Sequence, residues 1–339
     1  MTKHMRALRE REENPSLLGA GLKGLATASL AAAGGWILYS NFAIDHEMAL
    51  PDALPADRKV YQSSTAGQLS YYLSRNETGK PLVLIHSINA AASAYEMRPL
   101  YLQYSSRRPV YALDLPGFGF SSRLNRAYSP ALYEAAILDF LETQVGEPVD
   151  MVALSLGCEF AARVALTAPE RIDSLTLISP TGLGLKSNER SSQQAGRSGL
   201  GQYLHPVFSF PLWARPFYDL LTTRSSITYF LEQSFMGAVP HDLIDYAYLT
   251  AHQPGAEHAP LHFISGKLFT PNIRRNVYAQ VQVPTLVLYD RDAFTSFELL
   301  PDLLAENESW QAVRLVPTLG MPQFERTEDM VEVLDRFWE

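Results

Sequence analysis

The chain has 339 residues, of which 47% are hydrophobic and 19% are charged, so it is long enough to bury one large core or two modest ones. Its net charge of −8 and its lack of a Lys/Arg-rich face argue against nucleic acid as a partner. The single cysteine, Cys158, excludes an internal disulfide and a CxxC metal or redox site, and we expect neither a cofactor nor a metal.

The N-terminal segment over residues 24–44, GLATASLAAAGGWILYSNFAI, contains no charged residue. A helix of this length, at about 1.5 Å per residue, crosses a hydrocarbon core of about 30 Å. Basic residues precede it and acidic residues follow it, which favours a main domain on the non-cytoplasmic side. The region over residues 1–50 therefore predicts a membrane-associated protein with a single N-terminal span. The alternatives are a cleaved signal peptide and an Ala/Gly-rich helix that lies on the membrane or on a protein partner.

Beyond Pro51 and Pro55 the sequence alternates between short apolar runs and helical segments. The segments on either side of Gly67 predict a β-hairpin. The later runs are almost continuously apolar, which is typical of strands buried on both faces of a parallel sheet. These runs cover residues 81–87, 109–116, 149–155, 174–180, 284–290 and 312–317. Helical segments over 129–145 and 159–170 lie between them, which predicts an α/β fold with a mostly parallel, twisted sheet flanked by helices.

The alternation stops between Thr181 and Val283. This stretch begins with a polar, Gly/Ser-rich segment and continues with an unusually aromatic one, which predicts an inserted helical lid over residues 181–275. The α/β core would then consist of residues 51–180 and 276–339. We expect most of the aromatic rings to form the small core of the lid and some of them to line an apolar pocket.

The most specific motif is VDMVALSLGCEFAARVA, in which a buried strand ends at Ser155 and a helix begins almost at once. Such a turn strains the backbone at its apex, so the residues two before and two after the apex must be small. Ala153 and Gly157 meet this requirement. The turn would present Ser155 Oγ above the sheet as a nucleophile, with the Leu156 N–H directed at a developing oxyanion. The alternative is a buried serine at an ordinary strand-to-helix turn.

With a strand before it and a helix after it, this motif resembles the nucleophile turn of the α/β-hydrolase superfamily, and the resemblance covers roughly residues 60–339. LVLIHSINAAASAYEMRPL is similar to the family's turn after strand 3, which implies that Ile88 supplies a second oxyanion N–H. YALDLPGFGFSS is similar to the family's D-x-P-G-x-G-x-S loop. VPTLVLYDRDAF resembles the end of strand 7, which implies an orienting acid at Asp292, with Asp290 as the substitute. MPQFERTEDMVEVLDRFW is similar to the segment that follows the catalytic histidine.

Two positions depart from the family pattern. Gly320 stands where the catalytic histidine is expected, and Ser87 follows His86 where a glycine is usual. The first departure matters more, because a serine hydroxyl is a weak nucleophile near neutral pH and needs a base. His86, which usually helps to shape the oxyanion loop in this family, is one candidate base. His258 is another, as a lid histidine that reaches down to Ser155.

Other ionisable residues near the predicted site have simpler interpretations. His252, His258 and His262 raise the question of a metal site, but Pro260 interrupts the helical spacing of the last two, so a zinc site is not expected. Glu159 is expected in the first turn of the helix after the nucleophile, where the helix dipole favours a carboxylate.

The sequence therefore predicts a membrane-associated serine hydrolase that acts on an ester or another acyl compound with an apolar tail. In this hypothesis Ser155 is the nucleophile and Asp292 is the orienting acid, while Ile88 and Leu156 supply the oxyanion donors. The alternative, which follows from Gly320, is a pseudoenzyme that binds an apolar ligand or a protein partner in the same pocket. A third hypothesis is a lyase or transferase reaction on a lipid-like substrate, which no residue selects.

Overall fold

The computed structural model describes residues 31–185 and 200–339. The chain divides into two compact units, Met1–Asp45 and His46–Glu339. In the first unit, the described residues form a helix over 31–43. The strands and all the other described helices belong to the second unit.

The structure corrects the predicted N-terminal span. Residues 24–30 of the predicted span lie outside the described residues. Within 31–185 and 200–339, no helix is both long and apolar enough to cross a membrane. The prediction of a membrane-associated protein with one N-terminal span and a non-cytoplasmic main domain is therefore wrong.

Eight strands, most of them short and apolar, form one sheet. In chain order they are β1 (Asp57–Ser63), β2 (Gly67–Leu73), β3 (Leu82–Ile85), β4 (Val110–Asp114), β5 (Val149–Leu154), β6 (Ile172–Ile178), β7 (Thr285–Tyr289) and β8 (Trp310–Arg314). Their spatial order is β1-β2-β4-β3-β5-β6-β7-β8. β1 and β2 form the predicted hairpin, β2 is also antiparallel to β4, and all other neighbours are parallel. The predicted mostly parallel sheet is thus confirmed.

Helices follow most of the strands and fill the long connection between β6 and β7. In chain order they are α1 (Arg98–Tyr104), α2 (Pro130–Phe140), α3 (Gly157–Thr167), α4 (Leu200–Phe208), α5 (Ala214–Leu221), α6 (Arg224–Glu232), α7 (His241–Ala251), α8 (His258–Ile264), α9 (Ile273–Asn276), α10 (Leu300–Glu306), α11 (Pro322–Glu325) and α12 (Thr327–Trp338). Short helical turns complete the second unit at Ala94–Met97, Leu141–Val145, Pro169–Arg171 and Tyr278–Gln280.

The strands divide their side chains between two apolar layers. In β3, Val83 and Ile85 belong to one buried cluster, and Leu82 and Leu84 belong to the other. Successive side chains of a strand point to opposite faces, so each strand contributes to both layers. α2 and α3 pack on the first layer, and α1 and α12 pack on the second. This double burial explains why the sequence of the central strands is almost continuously apolar.

A buried carboxylate ties both ends of the helical insertion α4–α9 to α3. Glu159 lies in the first turn of α3, as predicted, and is 1% exposed. Its Oε1 accepts a hydrogen bond from Thr181 Oγ1 at 2.6 Å, just after β6, and its Oε2 accepts one from the Thr270 N–H at 2.7 Å, just before α9. Burial raises the pKa of Glu159 to about 7, although these hydrogen bonds oppose the rise. That the insertion acts as a lid stays a prediction.

Glu159 should make the stability of the fold depend on pH. Its pKa is about 7 in the folded chain and close to the ordinary value of 4.5 in the unfolded chain, so the unfolded chain releases its proton first as the pH rises. The contribution of Glu159 to the free energy of unfolding therefore falls between pH 4.5 and 7, by roughly 3 kcal/mol at most. We expect Glu159→Gln to reduce this fall, because an amide does not titrate. The variant should still fold, since the amide can accept from the Thr270 N–H and donate to the Thr181 hydroxyl.

The measurement is urea denaturation at a series of pH values from 4.5 to 7.5. Glu328→Gln, on the exposed side of α12, is the matched control and should keep the pH dependence of the native chain. A Glu159→Gln variant with the same pH dependence as the native chain would contradict the prediction.

Candidate functional site

Ser155 lies at the apex of the turn between β5 and α3. Its φ of 52° is in the left-handed region, which is strained for a residue other than glycine and persists only when surrounding contacts hold it. One such contact is the hydrogen bond from its N–H to the carbonyl of Ile178, at the end of β6, at 2.8 Å. Ser155 is partly exposed, and its Oγ makes no hydrogen bond to the described residues. The turn therefore presents the hydroxyl at the carboxyl edge of the sheet.

Gly157 brings the start of α3 against the end of β3. A Cβ at this position would lie 2.4 Å from the carbonyl oxygen of His86, so a larger residue would force the backbone to move. β3 and β5 are parallel neighbours, with Ile85 opposite Ala153. The loop that begins at His86 therefore runs beside the Ser155 turn.

Ile88 and Leu156 occupy these two adjoining turns and are both buried. Neither backbone N–H donates a hydrogen bond within the described part of the chain. Buried N–H groups are normally paired, so two unpaired ones beside a serine hydroxyl are available to the oxygen of a ligand. The oxyanion roles of both residues stay predictions.

His86 is fully buried, and both of its ring nitrogens are engaged. Nδ1 donates to the carbonyl of Ser87 at 2.6 Å, and Nε2 accepts from the N–H of Leu115 at 3.0 Å. The second bond fixes the tautomer, because a nitrogen that accepts from an N–H carries no proton. Burial lowers the pKa of His86 to about 4. This geometry leaves no lone pair with which His86 could take a proton from Ser155.

Asp292 and Gly320 lie against each other. A Cβ on Gly320 would be 2.9 Å from Asp292 Oδ2, so Gly320 stands where the side chain of a histidine would meet the carboxylate. Asp292 Oδ1 accepts from the N–H groups of Phe294 at 2.7 Å and Thr295 at 3.2 Å, while Oδ2 has no partner among the described residues. Burial raises the pKa of Asp292, and the two N–H groups oppose the rise.

The helical insertion covers Gly320 from the other side. The Cβ of Ser234, just after α6, would lie 3.5 Å from a Cβ on Gly320, which is itself buried. Glu325 in α11 holds this segment in place, because its carboxylate accepts from the N–H of Met236 at 2.5 Å and from the N–H of Leu319 at 2.9 Å. A side chain at position 320 would therefore require the Asp292 carboxylate to move, while Ser234 would be in ordinary van der Waals contact with its Cβ.

The other histidines of residues 31–185 and 200–339 are not hydrogen-bonded to Ser155 Oγ either. His258, the second candidate base, begins α8, and its Nε2 lies 3.8 Å from Oε1 of Glu257. His252 Nδ1 donates to the carbonyl of Tyr248 at 2.7 Å. In the described part of the chain, no group of three or more His, Cys, Asp or Glu side chains is placed to hold a metal ion.

Asp290, the substitute acid, is held by structural contacts. Its Oδ1 lies 2.7 Å from Arg314 Nε, and its Oδ2 accepts from the N–H of Thr318 at 3.0 Å. Both partners belong to the end of β8 and the turn that follows it. Asp290 therefore shapes the chain that leads to Gly320, and Asp292 is the aspartate that faces this glycine.

Two buried polar residues near the site escaped the sequence analysis. Glu96 is 4% exposed and binds the loop after β3, and Gln323 in α11 donates to the carbonyl of Glu96 at 3.1 Å. Glu96 carries a signal in the sequence, because it is the one charged residue of the otherwise apolar and small-residue stretch over residues 81–97. Nothing in the sequence marks Gln323 as buried, since a polar residue shortly after a turn is typical of an exposed surface.

A family model described as the alpha/beta hydrolase family matches residues 82–333. Among curated relatives, the chain is 32% identical over 150 residues to the dihydrolipoyllysine-residue acetyltransferase component of the acetoin cleaving system of Pseudomonas putida, which covers 42% of this chain and 39% of that protein. It is 29% identical over 148 residues to the (lyso)-N-acylphosphatidylethanolamine lipase of Bos taurus, which covers 42% of this chain and 40% of that one. The chain therefore spans about two fifths of the length of these relatives.

A solved structure, described as a membrane phospholipase A and a bacterial virulence factor, superposes with a TM-score of 0.64. The two chains are 18% identical, and the match covers 96% of this chain and 98% of that one. Similarity at this level of identity shows the fold alone. The family model, in contrast, matches more than half of the chain and includes the Ser155 turn, the loop after β3 and Asp292. This chain belongs to the alpha/beta hydrolase family.

Proposed function

We propose that this chain binds an acyl compound with an apolar tail at the Ser155 turn and does not hydrolyse it at the rate of a serine hydrolase. One observation carries the proposal. No described histidine is hydrogen-bonded to Ser155 Oγ, while Asp292, the acid that would orient such a histidine, lies against Gly320. A serine without a base is a poor nucleophile at neutral pH, and the loss of one triad member typically lowers the rate by several orders of magnitude.

The contacts of the candidate bases support the same conclusion. The lone pair of His86 Nε2 is occupied by the Leu115 N–H. His258 lies beside Glu257 on the insertion, and no hydrogen bond joins it to Ser155 in the described part of the chain. A general base must be within hydrogen-bond reach of the proton that it removes, directly or through one water.

The surroundings of Ser155 support a neutral, carbonyl-bearing ligand with an apolar tail. The N–H groups of Ile88 and Leu156, which donate to no described residue, suit a carbonyl oxygen, and the apolar layer to which both side chains belong surrounds them. The lipase of Bos taurus, whose name states an N-acyl lipid, is a relative that supports an acyl group as the bound moiety.

Ester hydrolysis is the second candidate function, and the backbone of Ser155 favours it. A φ of 52° at a serine is strained, and such strain is typical of sites where function requires it. Turnover of an ester by the native chain that disappears in Ser155→Ala would establish this function in place of the proposed one.

We expect Gly320→His to create ester hydrolysis. The backbone of Gly320 is not in the left-handed region, so a histidine can occupy the position, and the Asp292 carboxylate can rotate away to accept from its ring. The native chain should hydrolyse p-nitrophenyl butyrate no faster than Ser155→Ala does. The Gly320→His variant should exceed both by about 10²-fold or more, because it restores the base. A fluorophosphonate probe should label Gly320→His and not the native chain.

Two variants control this experiment. Gly320→Gln adds a side chain of similar size without a base, and Gly320→His combined with Ser155→Ala removes the nucleophile; both should remain inactive. An inactive but folded Gly320→His variant would show that the missing histidine does not by itself explain the lack of turnover.

We also expect the affinity for methyl ketones to rise with chain length. A ketone presents a carbonyl to the two N–H groups and cannot be hydrolysed. Each CH₂ buried against the apolar lining contributes about 0.8 kcal/mol, or roughly a fourfold change in Kd. Isothermal titration calorimetry with 2-butanone, 2-hexanone and 2-octanone measures this series.

Two variants control this series. Ser155→Trp, which covers the turn with an indole, should abolish binding, and Ser106→Trp, at an exposed position after α1, should not. Equal affinities along the series would contradict an apolar tail site.

A further inference from the structure

Glu96 binds the loop after β3 through three hydrogen bonds. It lies in the helical turn Ala94–Met97 that precedes α1, and its side chain is buried. Oε2 accepts from the N–H of Ser87 at 2.8 Å. Oε1 accepts from Ser87 Oγ at 3.0 Å and from Asn89 Nδ2 at 2.7 Å. One carboxylate therefore holds the residues on both sides of Ile88.

These contacts determine the direction of the Ile88 N–H. The carbonyl of Ser87 and the N–H of Ile88 belong to one planar peptide group and point in opposite directions. His86 Nδ1 donates to that carbonyl at 2.6 Å, which directs the N–H away from the imidazole. Glu96 prevents the peptide between Ser87 and Ile88 from rotating, because its carboxylate binds the N–H of Ser87 on one side and the side chain of Asn89 on the other.

Ser87, which replaces the usual glycine, is part of this arrangement. Its hydroxyl gives Glu96 a donor that glycine lacks. The backbone carbonyl of Glu96 in turn accepts from Gln323 Nε2, which connects the loop to α11 just beyond Gly320. Glu96 thus connects the two regions that depart from the family pattern: its side chain binds Ser87, and its backbone binds Gln323, three residues after Gly320.

Burial raises the pKa of Glu96, and the hydrogen bonds from Ser87 and Asn89 oppose the rise because they favour the ionised form. All three partners donate to it, so its oxygens act only as acceptors, as they do in an ionised carboxylate. A buried negative charge beside Ile88 repels an anion more strongly than a charge at the surface would, because the interior screens charge weakly. It does not repel a neutral carbonyl, which carries no net charge.

We propose that Glu96 is a positioning residue that holds the Ile88 N–H towards a ligand carbonyl and, through its negative charge, makes the Ser155 site selective for neutral acyl compounds over their carboxylates. This inference rests on the proposed acyl-binding function, and it adds the charge of the ligand and the residue that sets it. Glu96 acts through Ser87 and Asn89 and does not itself contact the ligand.

The test compares two ligands of equal chain length, 2-octanone and octanoate, by calorimetry at pH 7.5 on the full chain. The native chain should bind 2-octanone at least about 10-fold more tightly than octanoate. Glu96→Gln should weaken the binding of 2-octanone and strengthen that of octanoate, so that the ratio of the two Kd values approaches one. Ser87→Gly removes the hydrogen bond from Ser87 Oγ to Glu96 and the one that Ser87 Oγ accepts from Asn89, and it keeps the charge. It should therefore weaken 2-octanone by several-fold, about twofold to threefold for each hydrogen bond, and keep the selectivity.

Glu325→Gln is the matched control, since Glu325 is another carboxylate that accepts backbone N–H groups but binds the insertion, and it should leave the ratio unchanged. A native chain that binds octanoate as tightly as 2-octanone would overturn the inference without any variant. An unchanged ratio in folded Glu96→Gln would overturn it as well, and in both cases the acyl-binding function would stand. If the native chain bound neither ligand, the proposed function itself would fail.

Discussion

The close approach of α3 to the end of β3 is the constraint on which the site depends. Gly157 leaves room for the carbonyl of His86, and any side chain there would push the two elements apart. Because β3 and β5 are parallel neighbours, their carboxyl ends meet at one edge of the sheet, where open α/β sheets bind ligands. For this reason the strained Ser155 lies beside the N–H groups of Ile88 and Leu156, which donate to none of the residues that the structure describes.

Asp292 stands at the predicted acid position, although Gly320 replaces the expected histidine. Asp292 is held by two backbone N–H groups, and its remaining oxygen faces Gly320. Burial of a carboxylate costs free energy, which hydrogen bonds offset only in part, as the raised pKa indicates. The segment that follows α6 closes over the same place. The result is a site in which the predicted acid and the serine of the Ser155 turn are present, while a glycine stands at the position of the expected histidine.

Two buried glutamates organise the surroundings of Ser155 by accepting hydrogen bonds. Glu159 joins α3 to both ends of the insertion, and Glu96 joins the loop after β3 to its own following turn. Each satisfies buried donors that would otherwise lack partners, and an unpaired buried donor costs about 1–3 kcal/mol. Both carboxylates are ionisable groups in otherwise apolar surroundings, and burial raises the pKa of each.

The sequence by itself determined the strands, the Ser155 turn and the absence of a histidine at Gly320. Apolar runs, small residues around an apex and the identity of one residue are local properties, and local backbone structure follows from them. The N-terminal prediction failed because an uncharged run does not by itself make a membrane span, and within residues 31–185 and 200–339 no helix is long and apolar enough to be one. Only the tertiary structure decided what the buried polar groups do, because their partners come from elsewhere in the chain. Leu115 engages His86 from 29 positions away, and Thr270 reaches Glu159 across 111 positions, which no local pattern encodes.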